Sequence, residues 1–457
     1  MSELGSEGNP LRVAIVGSGP SGFYALEALL KSGKNVLADM IERLPAPFGL
    51  VRSGVAPDHP KLKQAILVYQ KIAESPAFTL FGNVTVGRDV TVEELRGLYH
   101  AVIFTCGAES DRKLGIPGED LKGSHTATEF VGWYNGHPDY RDRAFDLSGE
   151  TAVIIGQGNV AADVARILSK TVDELKHTDI SEHALDALAK SRIKEIHVIG
   201  RRGPAQAKFT AKELREFGEL TDCAPVVKPE DLKLNPESEA ELADKANAGS
   251  AKNVEIFQSF AATDPGGKSR RCIFHFLEGP VRLEGAGKLE RVVLAKNRLE
   301  GEPFNQQAKA TGETYALACG ILFRSIGYRG VPMPGVPFDE RRGVFANAEG
   351  RITNGGAPVP GLYVAGWIKR GPSGIIGTNR ACSVATVASL MADLPNMTDG
   401  SRKGGEGLRE ILKSRNVRVV NYQDWKTIDA AEIRRGEPKG KPREKFTRVD
   451  EMLAAIG

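Results

Sequence analysis

The sequence predicts an α/β protein built from two Rossmann-like, doubly wound units, and three observations carry that expectation. A short apolar strand at residues 12–17 runs into a glycine-rich turn. Behind it Phe23, Leu26, Leu29 and Leu30 recur at helical spacing, and a second strand follows at residues 36–41. The same order returns from Thr151: strand, glycine turn, a helix over residues 160–168 and a returning strand over 193–200. Glycine is also in excess, at 51 of 457 residues, about 11% against a usual ~7%.

Length and composition narrow the classes. A chain of 457 residues suits two or three domains with sizeable cores. A hydrophobic fraction of 41% and a net charge of +3 argue for a folded chain. They exclude a globally basic nucleic-acid binder, while leaving room for a local basic patch. No run approaches the ~18 to 20 apolar residues of a membrane helix. The opening MSELGSEGNP reads as a loose tail that is neither a secretory signal nor a transit peptide. Cys106, Cys223, Cys272, Cys319 and Cys382 form no C-x-x-C, no metal-ligand spacing and no disulfide framework. No metal site is expected, and the cysteines suit a reducing setting such as cytosol or matrix, with the cytoplasm as the expected compartment.

Along the chain, a mostly polar stretch of about 25 residues lengthens the second crossover. Residues 226–252 read as a surface excursion with at most one acidic helix, and strand-like runs follow at 254–260, 272–277 and 291–295. Residues 434–446 read as a basic tail containing Pro and Gly. Stretches 101–119 and 320–330 each run an apolar strand into a small-residue turn, as at a crossing between domains. Either stretch alone reads equally as a strand and a loop; taken as crossings, they give the expected division 11–107, 108–330 and 331–457, with the first and last segments forming one discontinuous domain.

The first turn, Gly17-Ser18-Gly19-Pro20-Ser21-Gly22, has a strand before it and a helix after it, and Glu42 closes the second strand. Gly17 permits the tight turn, Gly19 lets backbone N–H groups approach a diphosphate, and Gly22 lets helix and strand pack closely. The diphosphate then faces the positive end of a helix. A carboxylate at Glu42 accepts from ribose hydroxyls and repels a 2′-phosphate, so this site suits FAD or NAD. The second turn, Gly156-Gln157-Gly158-Asn159-Val160-Ala161, leads to a strand that ends in Gly200-Arg201-Arg202-Gly203. Two guanidiniums there can clamp a 2′-phosphate, although arginines at a strand end are also commonly just solvated. FAD in the first site and NADPH in the second is the economical assignment. Gly366-Trp367 and Gly374-Ile375-Ile376-Gly377 suit close approach to a flat ring, with core packing as the ordinary alternative for Trp367.

With these motifs in place, the chain resembles the adrenodoxin reductases and the adrenodoxin-reductase-like ferredoxin–NADP⁺ reductases. The shared stretches are FGLVRSGVAPDHP (48–60), FGNVTVGRDVT (81–91), FVGWYNG (130–136), GQGNVAADVARIL (156–168), VIGRRGPAQAKFTAKELRE (198–216) and GWIKRGPSGIIGT (366–378), together with DWKTIDAAEI and GKPREK near the end. The resemblance implies a glutathione-reductase-type fold with a discontinuous FAD domain. It implies FAD contacts at Ser21, Glu42, Leu50, Val86, Trp367, Gly374, Ile375 and Ile376. For NADP it implies Gln157, Gly158, Asn159, Val160, Arg201, Arg202, Glu213 and Gly374. His59 and Glu213 are the catalytic candidates it implies, His59 by positioning the nicotinamide and the docked ferredoxin; without the family, a histidine among prolines reads as loop packing.

The chain departs from the family in the acidic SEAELADK, where better-known mitochondrial members carry a basic, proline-containing run, and in an opening that does not read as the transit peptide of the mitochondrial precursors. The basic candidates for docking are then Lys268 with Arg270 and Arg271, Lys208 with Lys212 and Arg215, and Lys369 with Arg370. The implied activity is NADPH:ferredoxin oxidoreductase: a hydride passes from NADPH to FAD, then single electrons to an acidic iron–sulfur ferredoxin and onward to a cytochrome P450 or other oxygenase. A disulfide reductase would need a redox cysteine pair, which is missing. The enzymatic alternative is a flavin-dependent NADPH oxidase or monooxygenase, and the non-catalytic one a nucleotide-binding redox sensor.

Overall fold

The computed structural model describes residues 3–397 and 401–457. They divide into two compact units, one holding the chain up to Asp111 and again from Gly327, the other Arg112–Ile326.

In the first unit a seven-stranded sheet runs in the order Asn347–Ala348, Arg351–Asn354, Ala357–Val364, Ala101–Phe104, Leu11–Val16, Val36–Ile41 and Phe78–Phe81. The five strands from Ala357–Val364 onward pair in parallel, and the two at the other edge pair antiparallel. Register is set by Leu11 opposite Val36 and Val16 opposite Ile41. Val13 and Ile15 pack into one apolar cluster and Ala14 and Val16 into another. A strand buried on both faces needs an unbroken apolar run, which is what AIV supplies.

In the second unit a six-stranded parallel sheet runs Ser124–Thr126, Ile321–Arg324, Thr151–Ile155, Glu195–Ile199, Arg270–His275 and Cys223–Val227. Ala152 and Ile154 again face one cluster, Val153 and Ile155 the other. A separate antiparallel sheet is formed by Glu278–Glu284, Arg291–Glu300 and Gln307–Ala318.

Several expectations are corrected. Residues 254–260 are not a strand but part of the helix Ala248–Ala262. Ser250, Asn253, Val254, Phe257 and Phe260 are buried at three- and four-residue spacing, so the period is helical. The excursion at 226–252 holds the acidic helix Pro236–Ala243, yet Ser238 and Glu241 on it are buried. The polar crossover contains helices Val172–Leu175 and Glu182–Ala189, which bury Leu175, Leu185 and Leu188. The opening is not loose over its described residues: Leu4 is buried, and Asn35 N donates to Gly5 O at 2.7 Å. Met1 and Ser2 lie outside the described residues. The 434–446 stretch is also packed, with Lys441, Glu444 and Lys445 buried. No helix among the described residues is long and apolar enough to cross a membrane.

Candidate functional site

In the first unit, Gly17 has a φ of +105°, and a Cβ there would meet the Thr105 carbonyl at 2.8 Å. A Cβ on Gly22 would lie 2.3 Å from Gly17 O, so the helix can sit this close to the turn only with glycine there. Gly19 is different: a Cβ would meet nothing within 4 Å. Open space therefore lies at the start of helix Pro20–Leu30, whose N-cap Gly19 offers no side-chain acceptor. Helix N–H groups without a cap need a partner from outside the helix. By contrast, helices Val92–Leu98, Ala127–Tyr134 and Tyr422–Gly436 carry full capping boxes. The glycine turn thus fits a diphosphate.

Glu42 closes strand Val36–Ile41 and is held over this turn. Its Oε2 accepts from Ser18 N at 3.1 Å and Ser18 Oγ at 2.5 Å, and its Oε1 from Leu44 N at 3.0 Å. Leu50, 41% exposed, opens the short helix Leu50–Ser53. The preceding Gly49 approaches the first turn so closely that a Cβ would stand 3.0 Å from Gly19 Cα. Val86 is half-buried against the cluster beneath the sheet. His59 is buried at the N-cap of helix Pro60–Lys63.

The third glycine region meets the first. Ser21 Oγ donates to Asn379 Oδ1 at 3.2 Å, Ser383 Oγ donates to Ser21 O at 2.9 Å, and a Cβ on Gly366 would strike Ser21 Oγ. Gly374, at a φ of +84°, and the exposed Ile375 lead into helix Ile376–Asp393, which also lacks a side-chain N-cap, with open space at Gly377. Two uncapped helix N-termini, starting at Pro20 and Ile376, are therefore packed side by side. Trp367 stacks on Tyr328, with ring centroids 5.5 Å apart and planes 23° from parallel. Its Nε1 has no hydrogen-bond partner among the described residues. Tyr328 lies in the 320–330 stretch, which as a sequence reads only as a crossing and gives no sign of a ring partner 39 positions away.

In the second unit, Gly156 has a φ of +133°, and a Cβ would lie 2.1 Å from Ser325 O. Helix Asn159–Ser169 starts behind Gly158 with no side-chain cap and open space at Gly158. Gln157 is locked: its Nε2 donates to His275 O at 2.7 Å, and its Oε1 packs where a Gly200 side chain would be. Asn159 Oδ1 accepts from Thr210 N at 2.8 Å, and Val160 packs against the core. Arg201 is exposed, with Asn297 Nδ2 on its carbonyl at 3.1 Å. Arg202 is half-buried, and Leu277 N donates to its carbonyl at 2.9 Å. Burial, then the neighbouring Arg201, pull the Arg202 guanidinium below its ordinary value, and Glu241 partly restores it. Glu213 lies in the first turn of helix Ala211–Arg215.

The basic candidates separate. Lys268 Nζ donates to Leu220 O at 2.6 Å, Arg270 to Ser169 O and Lys170 O, and Arg271 to Lys268 O, Arg270 O and Gly266 O. Those charges hold loops in place. Lys369 donates to Thr386 Oγ1 at 2.9 Å, and burial lowers its ammonium. Arg370 donates to Ser373 O and Asn379 Oδ1, both at 3.0 Å. Lys212 and Arg215 remain exposed. All five cysteines are free.

Two sheets with parallel strands at their centres, each with a glycine turn feeding an uncapped helix, define the class of pyridine nucleotide oxidoreductases. A family model described as pyridine nucleotide-disulphide oxidoreductase matches residues 11–202. The chain is 45% identical over 456 residues to the NADPH-ferredoxin reductase FprA of Mycobacterium tuberculosis, covering 97% of this chain and 98% of that one. It is 44% identical to the mitochondrial NADPH:adrenodoxin oxidoreductase of Arabidopsis thaliana, covering 98% and 95%. The solved structure of M. tuberculosis FprA in complex with NADPH superposes with a TM-score of 0.93 at 44% identity, over 98% of this chain and 100% of that one. The chain belongs to the family of NADPH-ferredoxin and NADPH:adrenodoxin reductases.

Proposed function

We propose that this chain is an FAD-containing NADPH:ferredoxin oxidoreductase. The observation that carries the reading is the asymmetry of its two glycine turns: one lies under a carboxylate, Glu42, and the other beside two guanidiniums, Arg201 and Arg202. Bound FAD supplies two-electron acceptance from NADPH and one-electron release to an iron–sulfur partner.

The chain's own residues bind and orient. The N–H groups at the start of helix Pro20–Leu30 take the FAD diphosphate, with Gly19 leaving the space, and Glu42 takes the adenosine ribose. Helix Ile376–Asp393 offers a second positive N-terminus for the flavin end, where Gly374, Ile375 and Ile376 lie. Trp367, buttressed by Tyr328, would cover one edge of the ring. Ser21 ties the two helices together. Leu50 and Val86 supply apolar walls. In the second unit, Gln157, Gly158, Asn159 and Val160 form the NADP turn, and Arg201 and Arg202 read the 2′-phosphate. We assign His59 and Glu213 to positioning the nicotinamide. The division into an FAD domain (11–107 with 331–457) and an NADP domain (108–330) belongs to this reading.

The reading extends to an acidic ferredoxin as partner, an oxygenase such as a cytochrome P450 downstream, and the cytoplasm as compartment. Five free cysteines suit a reducing compartment. The test is anaerobic stopped flow: NADPH should bleach the flavin absorbance, and a ferredoxin should then be reduced as the flavin recovers. Oxygen consumption matching NADPH oxidation without ferredoxin would favour an oxidase or monooxygenase. A flavin that NADPH leaves unbleached would reduce the chain to a sensor.

A further inference from the structure

A cavity of about 60 Å³ lies beside the arginine turn in the second unit, lined by Arg202, Lys208, Gln206, Glu241, Phe304 and Gln306. One water needs only ~10–15 Å³ of such space, so the cavity has room for a small oxyanion. Its floor is built and buried. Glu241 accepts from Gln206 Nε2 at 2.9 Å, Gln306 Nε2 at 2.8 Å and Phe304 N at 2.8 Å. The same two amides donate to Ser238 Oγ at 3.0 and 3.1 Å, and Asn235 Nδ2 holds Gln306 Oε1 at 2.6 Å. Burial raises the Glu241 carboxyl, but these hydrogen bonds and the Arg202 charge more than offset it and leave it below its ordinary value. The carboxylate is therefore ionised and occupied by its own partners.

The wall is cationic. One buried carboxylate faces Arg202 and Lys208, with Arg201 next along the turn. Lys208 is anchored to the dinucleotide turn by its main chain: Lys208 N donates to Gln157 O at 2.8 Å and the residue bridges to Gly158. Its side chain thus rides on the segment that starts helix Asn159–Ser169. Gln206, 7% exposed, supplies the second polar feature: its Oε1 has no hydrogen-bond partner among the described residues and lies 3.1 Å from where a Gly203 Cβ would be. That oxygen is itself fully buried, so Arg202 and Lys208 are the groups that face a ligand here, and two cations above a satisfied carboxylate suit a phosphomonoester.

We propose that Lys208 is a specificity-determining residue, a third cation that with Arg201 and Arg202 reads the ribose 2′-phosphate of NADPH. This assignment rests on the arginine-terminated turn being the NADP site. It removes Lys208 from the ferredoxin-docking face.

The test is calorimetric titration of the FAD-loaded enzyme with 2′,5′-ADP, 5′-AMP and inorganic phosphate, for wild type, Lys208→Met, Lys208→Arg and the double variant Arg201→Ala/Arg202→Ala. Lys208→Met should weaken 2′,5′-ADP by about five- to tenfold and leave 5′-AMP within about twofold, with Lys208→Arg staying near wild type. The KM for NADPH should rise in parallel and that for NADH should not. Wild-type affinity for 2′,5′-ADP in Lys208→Met, alongside a loss in the double arginine variant, overturns the role of Lys208 and leaves the arginine reading standing. No loss in either overturns the NADP assignment of this turn as well. Inorganic phosphate binding as tightly as 2′,5′-ADP overturns the nucleotide reading in favour of a free-anion site.

Discussion

Arg52 and Glu432, 380 residues apart in sequence, form a buried two-point ion pair, with Nη1 to Oε2 at 2.8 Å and Nη2 to Oε1 at 2.5 Å. Arg52 lies in the FGLVRSGVAPDHP segment, and Glu432 on helix Tyr422–Gly436. The guanidinium also stands 5.0 Å from the Trp425 ring centre, while Glu432 accepts from Phe446 N at 3.0 Å and pairs with Arg443 at 3.4 Å. Gly49, three residues before Arg52, is the residue that touches Gly19. Helix Tyr422–Gly436 therefore fixes the loop that closes on the first glycine turn.

Breaking such a pair leaves buried charge uncompensated, at a cost of about 3–5 kcal/mol. Glu432→Gln should lower the urea midpoint accordingly and speed FAD release, followed by the rise in free-flavin fluorescence. A paired apolar replacement, Arg52→Met with Glu432→Leu, should recover part of the stability, because Arg443 keeps Asp429 as its partner and only Phe446 N loses its acceptor. An unchanged midpoint in the single variant would remove this pair from the account of the loop.

Glu42→Ala should lower FAD retention. The substitution removes three hydrogen bonds that hold Ser18 and Leu44, together with the acceptor for the ribose. At about 1.5–3 kcal/mol for a hydrogen bond to a charged group, flavin affinity should fall by roughly tenfold or more. The flavin-to-protein absorbance ratio after gel filtration measures it, and full loading would contradict the role given to Glu42.

The glycine turns and the strand–helix–strand units were legible because backbone geometry leaves few residues able to occupy them: Gly17 and Gly156 need positive φ, and Gly22 needs an absent Cβ. The joining of Ser21 to Asn379 and Ser383 was not, since contacts across some 360 positions leave no local pattern. Helix Ala248–Ala262 was misread because VEIFQSF offers enough β-branched and aromatic residues to pass for a strand, and only the spacing of its buried positions settles the period. SEAELADK looked solvated because composition does not say which of its acids, here Glu241, turns inward to an amide network. Charge clusters were the least legible feature: Lys268, Arg270 and Arg271 stand together in sequence, yet their donors are engaged by main-chain carbonyls.

Docking should therefore depend on the exposed Lys212 and Arg215. Reversing both charges, Lys212→Glu with Arg215→Glu, should slow ferredoxin-dependent cytochrome reduction by about tenfold at low ionic strength and much less at high salt. Ferricyanide reduction should change little. Replacing Arg270 instead should lower stability through its lost carbonyl contacts and leave the salt dependence of docking as it was. Equal effects of the charge reversal on both acceptors would place the docking face elsewhere.

Beside the Gly200-Arg201-Arg202 turn, Glu278 gives the second unit an acid-sensitive element. Burial by itself would raise this carboxyl, but hydrogen bonds from His275, Tyr315 and Lys296, with the His275 charge, hold it at about 2. Its main-chain N–H donates to Gly200 O at 2.9 Å, immediately before Arg201. The folded value lies below the ~4.3 of an unfolded glutamate, so the group stabilises the fold fully above that value. The contribution is lost as pH falls from about 4.3 towards 2, as protons taken up preferentially by the unfolded chain pull the equilibrium over. Glu278→Gln should accordingly lower unfolding free energy by about 2–4 kcal/mol at neutral pH. Measured by urea denaturation across the acid range, the gap between wild type and variant should narrow steadily below about pH 4. A gap that stays constant to the acid limit would show that the carboxylate's charge is not what the network stabilises.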